Sequence, residues 1–298
     1  MSSIQANNRS IELSHEDKLL FPDDGITKRH LAEYYRDIAE TMLPHLRDRA
    51  ITMQRLPDGI DGKTFYHKDA PDYFPEWIRT SELKKEGGTV NHVIADDAAT
   101  LVYLANQACI TPHTWLSRVD EPDQPDLLVF DLDPSGGDFK GLRRAAMMTR
   151  ELFDEAGLAP FVKTTGSRGL HVVSPLRRGP DFDEVRQLAR DLAEILVGRD
   201  PELFTTEQRK NKRGNRIFLD TLRNAWGQTV TPPYAVRPKP GAPVATPLEW
   251  DEVDADDISQ RHTLKSIFRR LSQKDCPWKD IRRHARSIKS ARDFTAGH

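Results

Sequence analysis

Three aspartates occupy positions that suit metal-dependent chemistry. Asp131 and Asp133 close the apolar run DLLVFDLD, and Asp220 closes the later run RIFLD. Residues i and i+2 of a strand point to one face, so we expect the first two carboxylates to project together from a sheet rim. Such oxygen ligands suit Mg²⁺ or Mn²⁺, and two ions could activate a 3′-hydroxyl and stabilise a leaving pyrophosphate. A D-x-D pattern is also ordinary surface charge, and the residues alone leave that interpretation open.

A glycine-containing segment, KTTGSRGLHV, separates these acids. It predicts a small loop that offers backbone N–H groups, hydroxyls and a cation to phosphates, formed by Thr165, Gly166, Ser167, Arg168 and Gly169. His171 would follow on the next strand. A simple β-turn with a core histidine is the alternative interpretation. The lysine spacing of a Walker motif is absent, which excludes a P-loop.

Composition places the chain among soluble globular proteins. It has 298 residues, of which 30% are charged and 37% hydrophobic, enough for one large or two small domains. The apolar runs are too short to span a bilayer, and the N-terminus lacks a signal-peptide core, so we expect a cytoplasmic protein. Cys109 and Cys276 lie far apart, which argues against a disulfide framework and a zinc cluster.

Positive charge is concentrated in two segments although the net charge is −2. Residues 209–216 contain five Lys/Arg and no acid, and residues 261–292 contain eleven Lys/Arg against two Asp. An acidic stretch that begins at Asp251 separates them. Each basic segment is either a solvated face or part of a local basic groove, and both interpretations remain open.

The elements that would position these residues can be predicted from periodicity. Thr27 is a candidate N-cap for a helix with an apolar face, and KKEGGTVNHV predicts a hairpin with Gly87-Gly88 as its turn. Strands are expected at DLLVFDLD, APFVKTT, LHVVSP and RIFLD, with helices over 140–156 and 183–197. Pro134 should end the first of these strands, with Ser135-Gly136-Gly137 leaving the rim open. The Pro-rich segment 232–247 should lie extended over the surface, followed by a mostly helical C-terminal region. The resulting fold class is α+β.

Four ordered motifs resemble the polymerase domain of bacterial ligase D, a branch of the archaeo-eukaryotic primase superfamily. They are FDLDP at 130–134, TTGSRGLH at 164–171, FLDTLRN at 218–224 and VRPKPGAPVATPLEW at 236–250. The resemblance extends from about Lys18 to Trp250. It implies an RRM-like catalytic core with an antiparallel sheet, and a small N-terminal α/β module packed against it. Residues 1–110 would be the DNA and 5′-phosphate-binding module, and 111–298 the primase-polymerase core with its C-terminal helical region.

The resemblance assigns roles to residues of the core. Asp131, Asp133 and Asp220 would bind the metals and be catalytic. The nucleotide would be contacted by His113, Thr165, Arg168, His171, Arg223 and Arg237. Relatives usually carry Ser at position 165 and Lys at 168, and this chain retains the hydroxyl and the charge. Outside this role, Arg237 would be a surface residue between prolines.

It also assigns DNA contacts. Lys18, Lys28 and Arg55 would hold a downstream 5′-phosphate, Phe65 and Tyr66 would stack on bases, and Lys212 and Arg213 would form a nucleotide-responsive loop. The two aromatics could instead be core residues. Residues 82–96 would form the hairpin that bridges broken ends. Gln54 stands where relatives have a lysine, which would weaken phosphate recognition unless Arg55 substitutes for it.

The implied activity is template-directed, metal-dependent nucleotide addition at DNA ends or gaps in end-joining repair. The substrates would be nucleoside triphosphates, with ribonucleotides preferred, and the cofactors two Mn²⁺ or Mg²⁺ ions. The partners would be gapped duplexes or overhang ends with a 5′-phosphate, together with Ku and a separate DNA ligase, at the bacterial nucleoid and without a membrane. A stand-alone primase-polymerase for replication restart or excision repair is one alternative. A non-catalytic end-bridging or single-strand-binding module is another, although three converging acids argue against it.

Overall fold

The computed structural model describes residues 2–135, 139–254 and 260–298. The chain forms two compact units. Unit 1 contains residues 1–120, 229–245 and 262–274, and unit 2 contains 121–228, 246–261 and 275–298. The division therefore differs from the expected boundary after residue 110, because two later segments return to unit 1. The assignment of DNA binding to one unit and catalysis to the other stays a prediction.

Helices and mainly antiparallel strands make up the described parts of the chain, as in the α+β class. The strands are β1 (Ser3–Ala6), β2 (Arg9–Glu12), β3 (Leu19–Phe21), β4 (Ile26–Thr27), β5 (Ala50–Arg55), β6 (Phe65–His67), β7 (Thr80–Lys85), β8 (Gly88–Ile94), β9 (Cys109–Trp115), β10 (Ser117–Arg118), β11 (Glu121–Pro125), β12 (Leu127–Pro134), β13 (Phe161–Thr164), β14 (Leu170–Pro175), β15 (Phe204–Thr205), β16 (Ile217–Asp220), β17 (Thr229–Val230) and β18 (Pro247–Leu248). The α-helices are α1 (Lys28–Asp37), α2 (Ala39–Leu46), α3 (Ala98–Asn106), α4 (Phe139–Glu155), α5 (Phe182–Arg199), α6 (Ile267–Leu271) and α7 (Lys289–Ala296).

Unit 1 is built on a sheet with strand order β17-β9-β5-β8-β7, and β6 pairs with the end of β5. The predicted N-cap is confirmed, because the Thr27 side chain accepts the His30 N–H and the His30 side chain accepts the Thr27 N–H. The predicted apolar face is buried, but two helices carry it because α1 ends at Asp37 and α2 begins at Ala39. Its residues are Leu31, Tyr34, Tyr35, Ile38 and Met42.

The predicted hairpin is present, with its turn one residue earlier than expected. Lys85 pairs with Gly88, so the two loop residues are Glu86 and Gly87, and Gly88 already belongs to β8. Gly87 has φ 75°, a left-handed conformation that glycine adopts without steric cost. The turn therefore needs glycine at its second loop position, Gly87. The adjacent Gly88 made the pair Gly87-Gly88 look like the turn, although Gly88 is already paired.

Unit 2 is built on a sheet with strand order β15-β16-β12-β14-β13-β18, antiparallel except for the β15–β16 pair. Alternation along β12 buries Leu128, Phe130 and Leu132 in the same cluster as apolar side chains of α4 and α5. The Phe130 and Phe153 rings meet edge to face at 5.1 Å. Since neighbouring strand residues point to opposite faces, Asp131 and Asp133 project from the face that this cluster leaves open.

The Pro-rich segment 232–247 is largely buried, so the prediction that it lies extended over the surface is wrong. Within unit 1, Tyr234, Ala235 and Val236 are at most 1% exposed. Side chains satisfy the buried backbone: the Tyr34 hydroxyl donates to the Tyr234 carbonyl at 2.7 Å, and Thr111 donates to the Val236 carbonyl at 2.6 Å. Proline has no backbone N–H, and these carbonyls accept hydrogen bonds. Burial of the segment therefore leaves few backbone polar groups without a partner.

Two further expectations concern the ends of elements. Pro134 pairs with Ile217, so β12 continues one residue beyond its expected end. Gly136 and Gly137, expected to leave the rim open, lie outside the described residues. The C-terminal region is helical but broken into short pieces, α6, α7 and a 3₁₀ turn at Ile281–His284. Within the described ranges, no helix combines the length and apolarity needed to cross a bilayer.

Candidate functional site

Strand pairing brings the three predicted aspartates together in unit 2. Asp131 lies on the central strand β12, directly opposite Asp220 of β16 on one side and His171 of β14 on the other. Directly opposed residues of antiparallel strands have Cβ atoms about 4.5–5.5 Å apart. Asp133 lies two residues further along and therefore points to the same face. The register thus produces a compact cluster of three carboxylates beside one imidazole.

The cluster perturbs the pKa values of all three carboxyls. Burial, and then repulsion by Asp131, raise the pKa of Asp133. Burial and repulsion by Asp131 also raise the pKa of Asp220, against the opposing charge of Arg223. Burial opposes ionisation of Asp131 as well, but His171, Arg223 and Lys163 outweigh it and bring the pKa of Asp131 down to about 2. Ionisation of Asp133 and Asp220 is therefore disfavoured in this cluster, whereas Asp131 stays ionised.

Arginines compensate part of this negative charge. The Arg223 Nε lies 3.4 Å from Asp131 Oδ2 and 3.5 Å from Asp220 Oδ2, so it bridges the two opposed carboxylates. Arg168 and Arg213 approach Asp133 at 3.8 and 3.7 Å. Within the described ranges, no three His, Cys, Asp or Glu side chains converge closely enough to hold a metal ion as they stand. The oxygen-only donor set fits Mg²⁺ or Mn²⁺, but binding would require Arg223 to release its two carboxylates.

His171 and Lys163 form the buried support of the cluster. The His171 Nε2 lies 3.5 Å from Asp131 Oδ1, and its Nδ1 has no hydrogen-bond partner among the described residues. Burial and the charge of Lys163 lower the pKa of His171 to about 4, so the imidazole is neutral at pH 7. Lys163, opposite His171 on β13, is only 1% exposed. The Lys163 Nζ donates to the Thr164 carbonyl at 3.2 Å, and Lys163 is one of the residues that lower the pKa of Asp131.

The predicted phosphate loop, residues 165–169, packs tightly against β12. The Thr165 hydroxyl donates to the Gly169 carbonyl at 3.0 Å and accepts the Ser167 and Gly169 N–H groups. That hydroxyl is engaged within the loop, so a contact with a nucleotide would require it to exchange partners. A Cβ on Gly169 would lie 2.2 Å from the Leu132 carbonyl oxygen, so only glycine allows this approach. The loop is thus fixed beside Asp133, with Arg168 exposed at its tip.

The basic segment 209–216 contains both buried and exposed cations. Arg213 is 6% exposed, lies over the Phe218 ring at 3.6 Å and donates to the carbonyls of Glu207 and Gln208. Its guanidinium thereby reaches Asp133, whereas Lys212 is exposed. The structure therefore places Arg213 at the acidic cluster rather than on a solvated face.

A second site, a basic pocket of about 250 Å³, lies in unit 1. Its lining contains three cations and no acid; the lining residues are Ser14, His15, Lys18, Lys28, Arg55, Pro57, Asn106, Gln107 and Ala108. Lys28 is 6% exposed and donates to the Ser14 carbonyl at 2.6 Å. Burial, and then the charges of Lys18 and Arg55, lower the pKa of Lys28. Neighbouring cations repel one another, and a bound anion such as phosphate would relieve that repulsion.

Alternation along β5 places Gln54 and Arg55 on opposite faces of the sheet. Arg55 lines the basic pocket, whereas Gln54 points to the other face and its Oε1 lies 3.0 Å from His113 Nε2. The same alternation separates Phe65 from Tyr66 on β6: the Phe65 ring lies near His67, and the Tyr66 ring lies 6.1 Å from His113. Both aromatics are exposed, which is inconsistent with core residues, but they occupy opposite faces rather than acting as a side-by-side pair.

Arg237 and His113 belong to unit 1, and the three aspartates belong to unit 2. The Arg237 N–H donates to the Pro243 carbonyl at 2.8 Å, and its guanidinium donates to the Thr231 hydroxyl. Residues of the buried Pro-rich segment therefore fix Arg237 instead of leaving it on the surface. The roles of His113 and Arg237 at a nucleotide remain predictions.

Comparison with known proteins identifies the family. The model of the LigD primase-polymerase domain matches residues 27–278. The chain belongs to this family. It is 31% identical to the bifunctional non-homologous end joining protein LigD of Bacillus subtilis and 32% identical to the multifunctional LigD of Pseudomonas aeruginosa, over 92% and 93% of its length. The solved polymerase domain of Mycobacterium tuberculosis ligase D, in complex with DNA, superimposes with a TM-score of 0.87 at 31% identity, covering 92% of this chain and 99% of that one.

The primase-polymerase family and the α+β fold predicted from the motifs are thereby confirmed. The chain spans less than half of the curated relatives, 44% of the Bacillus subtilis protein and 33% of the Pseudomonas aeruginosa protein. What the whole relatives do is therefore a guide to this chain and not a description of it.

Several residues at these sites were not predicted from the sequence. Lys163 supports the acidic cluster, and Ser14, His15, Asn106 and Gln107 line the basic pocket. Lys163 lies within strand β13 and gave one signal, a charged residue in an otherwise apolar run. The pocket residues come from distant turns, and no local spacing relates them.

Proposed function

We propose that this LigD-type primase-polymerase is a metal-dependent nucleotidyltransferase that adds nucleotides, preferentially ribonucleotides, to DNA ends or gaps during end joining. The pairing of Asp131 with Asp220 supports this most directly, because together with Asp133 two residues further along it gathers three carboxylates on one face of a sheet. A binding module has no need for such a costly like-charge cluster. The incoming nucleoside triphosphate would lie beside this face.

Each residue has a chemical role in this proposal. Asp131, Asp133 and Asp220 would hold two Mg²⁺ or Mn²⁺ ions, which supply Lewis acidity at the attacking 3′-hydroxyl and the leaving pyrophosphate. Arg168 and Arg223, both near the carboxylates, would turn to the triphosphate once cations compensate the acids. His171, neutral at pH 7, can donate one hydrogen bond without adding charge. His113, Thr165 and Arg237 would complete the nucleotide contacts.

The basic pocket would bind the 5′-phosphate of a downstream strand. Lys18, Lys28 and Arg55 surround a cavity of about 250 Å³, which is large enough for a phosphate group. Exposed aromatics, Phe65 and Tyr66, would stack on bases without sequence preference, as end filling requires. Lys212 would contact DNA from the exposed side of its loop. We further propose a bacterial cytoplasmic location at the nucleoid, with Ku and a DNA ligase as partners.

A primer-extension assay tests the activity. Asp133→Asn should abolish extension of a gapped duplex while sparing its binding, because metal ligands act in the transition state and DNA affinity comes from many phosphate contacts. Asp183→Asn, an exposed acid of the same unit, is the matched control and should extend normally. Near wild-type extension by Asp133→Asn would make the metal assignment wrong. Synthesis on a bare template without a primer would instead favour a stand-alone primase-polymerase.

A further inference from the structure

A tyrosine stands at the rim of the basic pocket. Tyr73 lies in the loop after β6, and it is 61% exposed. Its hydroxyl is nevertheless placed between two residues that line the pocket: Arg55 Nη1 lies 3.3 Å away, and Gln107 Oε1 lies 3.4 Å away. An exposed aromatic ring whose hydroxyl is fixed at an anion pocket can contact the base of a nucleotide whose phosphate lies in that pocket.

The contacts of Arg55 show what the Tyr73 hydroxyl does. The Arg55 Nε donates to the Gln107 carbonyl at 2.8 Å, and Nη1 is shared between His67 Nδ1 at 3.2 Å and the Tyr73 hydroxyl at 3.3 Å. These bonds occupy Nε and Nη1 on different sides of the guanidinium and fix its plane. Among the described residues, none accepts a hydrogen bond from Nη2. The Tyr73 hydroxyl thus helps to hold Arg55 in one orientation at the pocket.

The Tyr73 ring is supported from behind. It meets Phe74 edge to face at 5.4 Å, and Phe74 meets Tyr103 in the same manner at 5.0 Å. Such contacts restrict the ring to few rotamers, so little entropy is lost when a base stacks on it. The cavity can hold the phosphate of a nucleotide, and the rigid, exposed ring beside it can stack on the base of the same nucleotide.

We propose that Tyr73 is the residue that reads the terminal nucleotide of a 5′-phosphorylated strand. Its hydroxyl positions Arg55 for the phosphate, and its ring stacks on the base of that nucleotide. This inference rests on the proposed function of the basic pocket and extends it to the base, so phosphate and base are recognised together. Stacking tolerates any base, so the contact adds affinity without selecting a sequence.

The test measures binding of the full chain to gapped duplexes that differ only at the downstream terminus, at one salt concentration. The three termini are a 5′-phosphorylated nucleotide, the same nucleotide with a 5′-hydroxyl, and a 5′-phosphorylated abasic residue. Tyr73→Phe should reduce the preference for phosphate over hydroxyl about three- to tenfold, because one hydrogen bond to Arg55 is lost, and should keep the preference for base over abasic residue. Tyr73→Ala should lose both preferences, the second by about tenfold.

Tyr103→Phe is the matched control. Tyr103 belongs to the same aromatic stack, and its hydroxyl makes no hydrogen bond to any described residue, so both preferences should be unchanged. Equal preferences in wild type, Tyr73→Phe and Tyr73→Ala would overturn the inference while leaving the phosphate pocket intact. A loss of both preferences in Tyr73→Phe would also overturn it, because the ring would then not act independently. A wild-type protein that does not distinguish the phosphate would instead refute the function proposed for the pocket.

Discussion

The two lysines of the basic pocket should contribute very differently to 5′-phosphate recognition. Lys28 is 6% exposed, and its Nζ is held by the Ser14 carbonyl at 2.6 Å and the Ser14 hydroxyl at 3.3 Å. A charge-assisted hydrogen bond at such a site contributes about 1.5–3 kcal/mol, which corresponds to roughly 10- to 150-fold in affinity. Lys28→Ala should reduce the preference for a 5′-phosphate by that factor.

The other lysine is weakened by exposure and by a competing acid. The Lys18 side chain is 40% exposed, and its Nζ lies 2.8 Å from Asp58, which is itself 71% exposed. Exposed ion pairs contribute only about 0.2–1 kcal/mol, so Lys18→Ala should reduce the preference by less than about fivefold. Asp58→Asn should strengthen phosphate binding slightly, because it releases Lys18 from its competitor.

The assay compares dissociation constants for two gapped duplexes, with and without the downstream 5′-phosphate, at one salt concentration because phosphate contacts are strongly salt-dependent. Lys63→Ala is the control. Lys63 is exposed and outside the pocket lining, so its loss should weaken both duplexes equally. The reasoning is refuted if Lys18→Ala lowers the preference as much as Lys28→Ala, or if Lys28→Ala weakens both duplexes alike.

Three further predictions concern Gly169, Arg237 and Arg223. Gly169→Ala should lower the free energy of unfolding by about 1–3 kcal/mol in thermal melts, since its Cβ would lie 2.2 Å from the Leu132 carbonyl oxygen, whereas Gly198→Ala, in open helical space, should not lower it. Arg237→Ala should raise the apparent KM for nucleotide more than it weakens DNA binding, and the reverse would place Arg237 at the DNA. Arg223→Ala should tighten Mn²⁺ binding to metal-free protein about three- to tenfold in calorimetry, since it no longer competes for two carboxylates, and weaker binding would mean that Arg223 supports the site.

The sequence was sufficient to predict that Asp131 and Asp133 share one face, because that signal is local. Alternation places Asp131 and Asp133 on one face, and strand ends are recognisable from apolar runs that stop at a charge. The neighbours of β12 could not be predicted in this way. That Asp220 and His171 flank Asp131 depends on the order β16-β12-β14, which is set by how the whole sheet packs on α4 and α5.

The errors have physical causes as well. The Pro-rich segment was predicted to lie on the surface because prolines do not pair in sheets, yet Tyr34, Tyr35 and Thr111 hydrogen-bond its backbone inside unit 1. Those partners lie more than a hundred residues away and leave no trace in the segment itself. Gln54 was expected to weaken phosphate recognition unless Arg55 substituted for it. Strand alternation turns Gln54 to His113 and leaves Arg55 in the lining of the basic pocket, and a phosphate contact of Arg55 stays a prediction. The family resemblance indicated the cations of the pocket, and the strand register shows that Arg55 and not Gln54 lines it.

The two sites use the same electrostatic principle with opposite signs. In unit 1, burial and neighbouring cations lower the pKa of Lys28, and in unit 2, burial and neighbouring carboxylates raise the pKa values of Asp133 and Asp220. Each cluster therefore lowers the stability of the ligand-free protein, and the ligand of opposite charge proposed for it would offset that loss. The net charge of −2 conceals both clusters because they cancel in the sum. Local repulsion among like charges, rather than overall charge, therefore marks the two places where we propose that this chain binds an anion and cations.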